Sequence, residues 1–454
     1  MFMKILSILL LLFIHFTAFS QWDMRPTCPI ACYNEGLIES PPFRYVLANT
    51  GNGSYTSFVT SIGVEIVVDK HDDDLGLEQM VSVAKTEFGH ILLGITEDRD
   101  LLAVKKDWGS STKWQFQYSK FPQIAPNEIR AVELENTDIV IASSAEGPND
   151  RSQTLLLKLN TEGEFLDSLR INTDGDFTVV NSLIETSDGN IILAGRKRFD
   201  GYLEKLNTNF EQIWISLTDV PGVIIFEKII ELEDGGFLCL AFGTPNTSQE
   251  DSGCRILKYS SDGNLLSNTA ILQDSILNPF DMVLAPDNSL YVVGGISDGV
   301  AGTGQDPFLI KLNEDFQIEW QRVFEDSGRG VIEKIIVSSL GQLVFSVFDD
   351  HTIRLISANQ DGIVTSNTDI LKTSDVKIFP NPNNGIFEIE QRDGKIERIE
   401  LYNIHGTRIA FLYEEKNGNN LFNIPIDISA QVSGSYIVKV YTKQGVVTQR
   451  VIKI

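Results

Sequence analysis

The sequence predicts an all-β fold. We expect a β-propeller of about seven four-stranded blades over residues 21–370, a linker over residues 371–375 and a small β-sandwich over residues 376–454. Apolar segments recur about every 50 residues, and a second apolar segment that ends in lysine follows most of them. From residue 376 onward, short runs alternate between apolar and polar residues and are separated by turns, which is typical of half-buried strands.

The apolar segments that open the repeats each follow a polar or turn-like cluster. Several of these clusters contain Asp-Gly pairs, which supply the positive φ that tight hairpins need. Neighbouring segments start 46–53 residues apart, a length that suits a four-stranded propeller blade. A degenerate copy in residues 49–69 brings the predicted count to seven, and an extended β-solenoid is the alternative architecture. The segments begin at Ile91, Ile139, Ile191, Phe237, Leu290 and Leu343.

A lysine ends the second apolar segment of five repeats. Both faces of a propeller blade meet neighbours, so we expect each lysine to extend its stem along apolar surface and to pair with an acid on the next blade. The alternative is a ring of ammonium groups that binds an anion, and the acidic composition disfavours it. The lysines are Lys105, Lys158, Lys205, Lys258 and Lys311.

Tryptophan follows three of these lysines by nine residues, at Trp114, Trp214 and Trp320. Aromatic residues at one repeat position are mostly blade core, although an exposed row would stack sugar rings. Two lysines without a tryptophan are instead followed by turns that end at Gly163 and Gly263. We therefore expect the tryptophans to be packing residues.

Residues 1–20 have the pattern of a secretory signal peptide. Lys4 is the only charge, a mostly apolar run follows it, and Ala18 and Ser20 are small residues at positions −3 and −1 before Gln21. The apolar run is too short to span a bilayer, which needs about 20 residues. We expect export, a soluble mature protein and no transmembrane segment.

The net charge of the chain is −25 and is unevenly distributed, with −28 on residues 21–375 and +2 on residues 376–454. A strongly acidic region repels the nucleic-acid backbone, so no nucleic-acid partner is expected. Cations or basic partners are compatible with it, and solubility outside the cell is the simplest explanation of the charge.

The chain contains four cysteines, and disulfides are allowed in an exported protein. We expect local pairs, Cys28 with Cys32 and Cys239 with Cys254, although spacing alone leaves the connectivity open. No histidine joins either pair at the spacing of zinc ligands, so a metal site is disfavoured.

One catalytic pattern occurs in the sequence. Residues 295–299, Gly-Ile-Ser-Asp-Gly, match the nucleophile elbow, but a glycine-rich loop follows where a helix is required. We therefore interpret this segment as a blade turn. His71, His90, His351 and His405 lie in no metalloprotease motif.

Two acidic segments are candidates for calcium. His71 precedes three aspartates, and Asn172, Asp174 and Asp176 alternate like the start of a calcium loop. The twelfth position of the second segment is Leu183 rather than glutamate, so the EF-hand pattern fails. Thus no catalytic, cofactor or metal residue is predicted, and calcium stays an open alternative.

Several separated motifs occur in order after residue 376. They are Pro380-Asn381-Pro382 with Gly385, then Tyr402-Asn403 with Gly406, then Gly434 with Tyr436, and finally Lys453. In this order they resemble the type A C-terminal sorting domain of the type IX secretion system. The resemblance implies contact with the secretion machinery and export across the outer membrane, often with removal of the tail and attachment of the cargo to the cell surface. An ordinary ligand-binding β-sandwich is the alternative. The residues that carry the resemblance are Pro380, Asn381, Pro382, Gly385, Tyr402, Asn403, Gly406, Gly434, Tyr436 and Lys453.

Signal, repeats and tail together predict a secreted or cell-surface β-propeller that acts as a binding or adhesion module. A carbohydrate-active hydrolase or lyase with its site in the propeller funnel is the main alternative, and a structural surface protein is the third. Carboxylates or histidines that converge at the centre with perturbed pKa values would favour the enzyme.

Overall fold

The computed structural model describes residues 22–24, 33–40, 44–51, 53–60, 65–70, 76–119, 124–146, 152–171, 177–218, 223–244, 253–271, 276–297, 305–324, 330–349, 352–362, 376–391, 396–403, 408–414, 423–442 and 445–454. The signal segment, Cys28, Cys32, the two candidate calcium segments, the linker and Gly406 lie outside these ranges. Among the described residues, all regular structure is β-strand.

The repeat region contains strands β1 to β28. β1 is Trp22–Met24, and the next four strands are β2 (Tyr33–Ser40), β3 (Arg44–Gly51), β4 (Gly53–Thr60) and β5 (Glu65–Lys70). These are followed by β6 (Gln79–Thr86), β7 (Gly89–Ile95), β8 (Leu101–Asp107), β9 (Thr112–Tyr118), β10 (Ile124–Glu133), β11 (Ile139–Glu146), β12 (Ser152–Leu159) and β13 (Phe165–Ile171). The remaining strands are β14 (Thr178–Glu185), β15 (Ile191–Lys197), β16 (Asp200–Leu206), β17 (Gln212–Leu217), β18 (Val223–Glu231), β19 (Phe237–Thr244), β20 (Gly253–Tyr259), β21 (Leu265–Ala270), β22 (Ile276–Leu284), β23 (Leu290–Ser297), β24 (Asp306–Leu312), β25 (Ile318–Val323), β26 (Gly330–Val337), β27 (Leu343–Asp349) and β28 (Thr352–Ala358).

These strands form four-stranded antiparallel sheets. Six of the sheets take four consecutive strands, from β2–β5 to β22–β25, and another has the order β1–β28–β27–β26. Five predicted strand starts coincide with the observed starts of β11, β15, β19, β23 and β27, and β7 begins two residues before Ile91. The predicted all-β propeller fold is confirmed.

The first strands of these sheets, β2, β6, β10, β14, β18, β22 and β26, are called the inner strands. Each contacts the inner strand of the next sheet, and β26 contacts β2. Every inner strand has a register shift in its pairing with the second strand. Such a bulge re-aims the side chains around it.

Neighbouring sheets are braced by glutamates at or near the ends of the inner strands. Each of these carboxylates accepts a backbone N–H from the turn that follows the inner strand of the preceding sheet, and Glu39 closes the series by accepting from Ser339. Charge-assisted bonds of this kind are shorter and stronger than neutral ones. The other three pairs are Glu133 with Glu87 N (2.6 Å), Glu185 with Glu135 N (2.9 Å) and Glu231 with Ser187 N (2.7 Å).

The core lies between neighbouring sheets because strand residues alternate between two buried faces. Leu238 packs with Met282 and Leu290 of the following sheet, whereas Cys239 packs with Ile192 and Ala194 of the preceding one. The second and third strands of the sheets, such as β7 and β16, are thus buried on both faces, and this explains the nearly continuous apolar segments in the sequence.

Two tryptophans on outer strands pack on glycine turns of the next sheet. Trp114 donates its indole N–H to the carbonyl of Thr161 at 2.9 Å, and a Cβ added at Gly163 would lie 2.5 Å from its ring. Trp214 lies against Gly263 in the same way, 2.6 Å from such a Cβ. These two tryptophans are packing residues, as predicted. The turns at Gly163 and Gly263, which belong to repeats without a tryptophan, pack against the tryptophan of the preceding sheet.

The structure contradicts the predicted disulfide between Cys239 and Cys254, because both cysteines are free and buried. Cys254 pairs in register with Phe242, three residues from Cys239. An odd separation places the two side chains on opposite faces of the sheet. Burial raises the pKa of both thiols.

The C-terminal domain is a sandwich of two antiparallel sheets. Its core cluster includes Phe387 and Ile389 from one sheet and Ile399 and Val438 from the other. One sheet has the order β29–β30–β33, with β29 (Val376–Phe379), β30 (Ile386–Gln391) and β33 (Asn423–Asp427). The other has the order β32–β31–β34–β35, with β31 (Ile396–Asn403), β32 (Arg408–Glu414), β34 (Gly434–Thr442) and β35 (Gly445–Lys453).

In the part of the chain that the structure describes, no helix is long and apolar enough to cross a membrane.

Candidate functional sites

The first sorting motif lies against the end of strand β35. Asn381 accepts the backbone N–H of Ile452 at its Oδ1, at 2.8 Å. Asn383 exchanges backbone bonds with the same strand, donating to the Ile452 carbonyl and accepting from Ile454, each at 2.9 Å. The motif at the start of the domain therefore fixes its last strand.

Gly385 and Lys453 meet in this turn. The Lys453 ammonium donates to the carbonyl of Ser429 at 2.6 Å and also to the carbonyl of Gln431. Gly385 has φ of 101°, and a Cβ there would lie 2.8 Å from Ser429 Cα and 3.0 Å from Lys453 Cε. Glycine is required because neither the backbone conformation nor the space admits a side chain.

Gly434 and Tyr436 support the same region. Gly434 pairs in register with Lys453, and the Tyr436 hydroxyl donates to the carbonyl of Val432 at 2.5 Å. Pro380 and Pro382 lie in the turn itself, each after a cis peptide bond. Most of the predicted sorting residues thus belong to one connected structure.

Tyr402 and Asn403 lie elsewhere, on β31. Tyr402 and Tyr441 both donate their hydroxyls to Oε2 of Glu400 at 2.7 Å, and Arg408 donates to Oε1 at 3.1 Å. The Arg398 guanidinium lies 3.9 Å from the Tyr441 ring centroid. The carboxylate is almost fully covered by these side chains, with 2% of its side-chain surface exposed.

The hydrogen bonds decide the protonation state of Glu400. Burial raises the pKa of its carboxyl, but hydrogen bonds from Tyr441 and Tyr402 and the charges of Arg398 and Arg408 outweigh burial, and the pKa is lowered overall. Burial and the bond to Glu400 raise the pKa of Tyr402. The cluster is therefore a carboxylate held by neutral phenols and cations on the outer face of the sheet.

The recurrent lysines do not follow the prediction, with one exception. Lys105 pairs with Glu133 of the next sheet at 2.8 Å, as expected. The others pair within their own sheets, mostly because the turn after the inner strand lies beside the end of the third strand. These pairs are Lys158–Asp138 (3.0 Å), Lys205–Asp188 (2.6 Å), Lys258–Asp234 (3.9 Å) and Lys311–Glu319 (3.0 Å).

A different polar set converges on the inner strands. Arg130 of β10 donates to the Asn181 carbonyl of β14 at 2.7 Å, and the Asn181 amide donates to the Phe226 carbonyl of β18 at 3.0 Å. Lys228 of β18 lies 3.4 Å from Asp281 of β22. These side chains link four successive inner strands.

Lys334 of β26 is the least satisfied member of this set. Burial lowers the pKa of its ammonium, the charges of Arg130 and Lys228 lower it further, and Asp281 and Glu333 oppose them without reversing the shift. Within the described ranges, no hydrogen bond or salt bridge reaches this ammonium. We call Arg130, Asn181, Lys228, Asp281 and Lys334 the inner cluster.

Sequence reasoning missed the inner cluster. Its members come from repeats that lie up to about two hundred residues apart, and they are different residue types, so they form no repeated motif. The bulges of the inner strands were the relevant structural signal, and sequence does not show a bulge.

The remaining candidates from the sequence are the nucleophile-elbow pattern, Trp320 and a metal site. Gly295 to Ser297 lie on β23, so the first three residues of the elbow pattern are strand, and the other two fall outside the described residues. Trp320 contacts Tyr291, with ring centroids 6.0 Å apart. Within the described ranges, no three acidic, histidine or cysteine side chains group as metal ligands.

Comparison with known proteins agrees with the C-terminal geometry. Residues 377–454 match the family model of the secretion system C-terminal sorting domain. The C-terminal domain is therefore a type IX sorting domain, as its motifs predicted. The protein is a sorted β-propeller protein, exported across the outer membrane to the cell surface or the medium.

Similar solved structures include PorZ of Porphyromonas gingivalis, an essential surface component of its type IX secretion system. PorZ gives a TM-score of 0.46 at 13% identity, covering 92% of this chain and 59% of the PorZ chain, so the present chain spans about three fifths of that length. The WD40 propeller of Doa1 has a TM-score of 0.49 at 11% identity, and the match covers 76% of this chain and 99% of the Doa1 chain. The Neurospora crassa Pan2 WD40 domain has a TM-score of 0.46 at 12% identity, and the match covers 74% of this chain and 98% of the Pan2 chain. No curated protein matches the chain in sequence.

Proposed function

We propose that the exported propeller is a binding module whose ligand contacts the inner cluster. The observation that supports this is Lys334, a half-buried residue whose ammonium has no hydrogen-bond acceptor among the described residues and lies among other charges. A partly buried cation without a protein partner costs folding free energy. A polar ligand that accepts from the ammonium would recover that cost.

The first test uses the mature protein on a glycan array, with and without calcium. We expect wild type to bind a defined set of glycans and Lys334→Met to bind them at least about tenfold more weakly, because a charged hydrogen bond is lost. Lys258→Met is the control, since that lysine is half-exposed and its nearest acid is 3.9 Å away. No binding of the wild type to any glycan, or equal binding by wild type and Lys334→Met, would argue against the proposal.

Stability separates a ligand-binding lysine from a structural one. Methionine keeps the apolar stem of Lys334 and removes a charge that burial disfavours, so we expect an unchanged or higher free energy of unfolding. Denaturant unfolding measures this. A clear loss of stability would identify Lys334 as a structural residue. Release of shortened sugars from the array would instead favour the alternative of a hydrolase or lyase.

A further inference from the structure

A cavity at the hairpin between β15 and β16 has its own chemistry. The hairpin turn contains Arg198 and Phe199, and Arg198 has φ of 56°, which non-glycine residues rarely adopt. Arg198 donates its backbone N–H to the carbonyl of Phe177, and the carbonyl of Phe199 accepts from Ile224, each at 2.9 Å. The turn is thereby tied to its own inner strand and to that of the next sheet.

The described residues that line this cavity are Phe177, Arg196, Arg198 and Phe199, and its volume is about 340 Å³. The Arg196 guanidinium carbon lies 4.8 Å from the Phe177 ring centroid. Its Nε is buried and has no hydrogen-bond acceptor in the described part of the chain. Phe199 is 67% exposed despite its size. The cavity therefore places an arginine side chain beside an open aromatic ring.

The charge of this cavity is opposite to that of its surroundings. Residues 21–375 carry a net charge of −28. A second cavity of about 370 Å³, at the turns of the sheet β22–β25, is lined in part by Asp287, Glu314, Asp315 and Glu319. No described acid lines the hairpin cavity. An anion would thus find a local attraction on a surface that otherwise repels it.

The two kinds of side chain select different parts of a ligand. A guanidinium binds a carboxylate through paired N–H groups, and a phenylalanine ring packs on a flat apolar face. A sugar ring with a carboxylate presents both groups side by side. We propose that this cavity binds an acidic saccharide. The inference rests on the binding-module function and adds a site distinct from the inner cluster.

The test compares acidic polysaccharides with a neutral match. Mature protein is titrated with polygalacturonate, alginate and hyaluronate, and with fully methyl-esterified polygalacturonate. We expect binding to at least one acidic polymer, weakening with salt, and at least about tenfold weaker binding to the ester than to polygalacturonate, because the charged hydrogen bonds are lost.

Variants locate the site. Arg196→Gln should lower the affinity for the bound polymer about tenfold or more, Arg196→Lys should fall between it and wild type, and Phe199→Ala should weaken binding. Arg322→Gln is the matched control, because Arg322 is an exposed arginine that lies 5.3 Å from the Trp320 ring outside the cavity. It should bind like wild type.

Each outcome bears on the proposal. Equal binding of the ester, unchanged affinity in Arg196→Gln, or loss in Lys334→Met with none in Arg196→Gln would overturn the cavity but keep the binding module. Failure of wild type on the acidic polymers alone, with glycans bound on the array, would also overturn only the cavity. No binding of the wild type, either on the glycan array or to the acidic polysaccharides, would overturn both proposals.

Discussion

His90 lies fully buried between Phe58 and Trp108, with both pairs of ring centroids 5.9 Å apart. Burial lowers its pKa to about 4, and the charge of Lys106 acts in the same direction against Asp107. Neither ring nitrogen has a hydrogen-bond partner among the described residues. The imidazole is therefore a neutral aromatic ring of the core.

This burial predicts an acid-sensitive fold. The unfolded chain binds a proton at His90 near pH 6.5, whereas the folded chain does so only near pH 4. The stability is thus present above pH 6.5 and is lost between these values, by about 2–3 kcal/mol. Urea unfolding at pH 7 and pH 4.5 measures the loss of stability. The loss in His90→Leu should be smaller than the loss in wild type by about 2–3 kcal/mol. The same pH dependence in both proteins would contradict this account.

Two residue-scale predictions failed for the same reason. Spacing placed Cys239 and Cys254 on adjacent strands, but their odd separation in register puts them on opposite faces. The sequence also showed that Lys158 and its equivalents would lie along apolar surface, but not which turn would lie beside each ammonium. Sequence spacing determines the strand, whereas register and strand order determine the partner.

At the scale of elements, the repeat period was sufficient to place the second strands of most repeats. The bracing glutamates were missed, although Glu133, Glu185 and Glu231 are themselves 52 and 46 residues apart, like the repeats. The chain contains 62 acidic residues, so the spacing of these three glutamates does not stand out in the sequence. Once sheets are neighbours, a carboxylate at the end of one inner strand reaches the backbone of the preceding turn.

The turn around Gly385 gives a prediction about the C-terminal domain. Gly385→Ala would force a side chain into a left-handed backbone conformation and against Ser429 and Lys453. We expect a loss of about 1–3 kcal/mol in the unfolding free energy of this domain and less protein at the cell surface. Unfolding and surface labelling measure the two effects.

Gly189→Ala is the control for that variant. Gly189 also has a positive φ, of 74°, but a Cβ there meets nothing within 4 Å, and it lies in a repeat turn. It should strain that turn and leave delivery unchanged. Normal stability and delivery of Gly385→Ala would show that the turn is not needed for sorting.

At the scale of the whole molecule, the repeat region and the C-terminal domain differ in net charge, −28 for residues 21–375 against +2 for residues 376–454. They also differ in how much of each could be predicted from the sequence. The C-terminal domain could be recognised because its motifs are contiguous and ordered along the chain. The inner cluster could not, because Arg130 and Lys334 come together only when the inner strands meet. The export route could thus be predicted from the sequence, whereas the proposed ligand site could be located only in the structure.

Export of this protein depends on the C-terminal domain as its sorting signal. Deletion of Val376–Ile454 and measurement of where the truncated protein accumulates, by fractionation and by protease treatment of intact cells, tests it directly. We predict retention in the periplasm, protected from external protease, while the full chain is digested at the surface or found in the medium. Delivery of the truncated protein at the wild-type level would contradict the account.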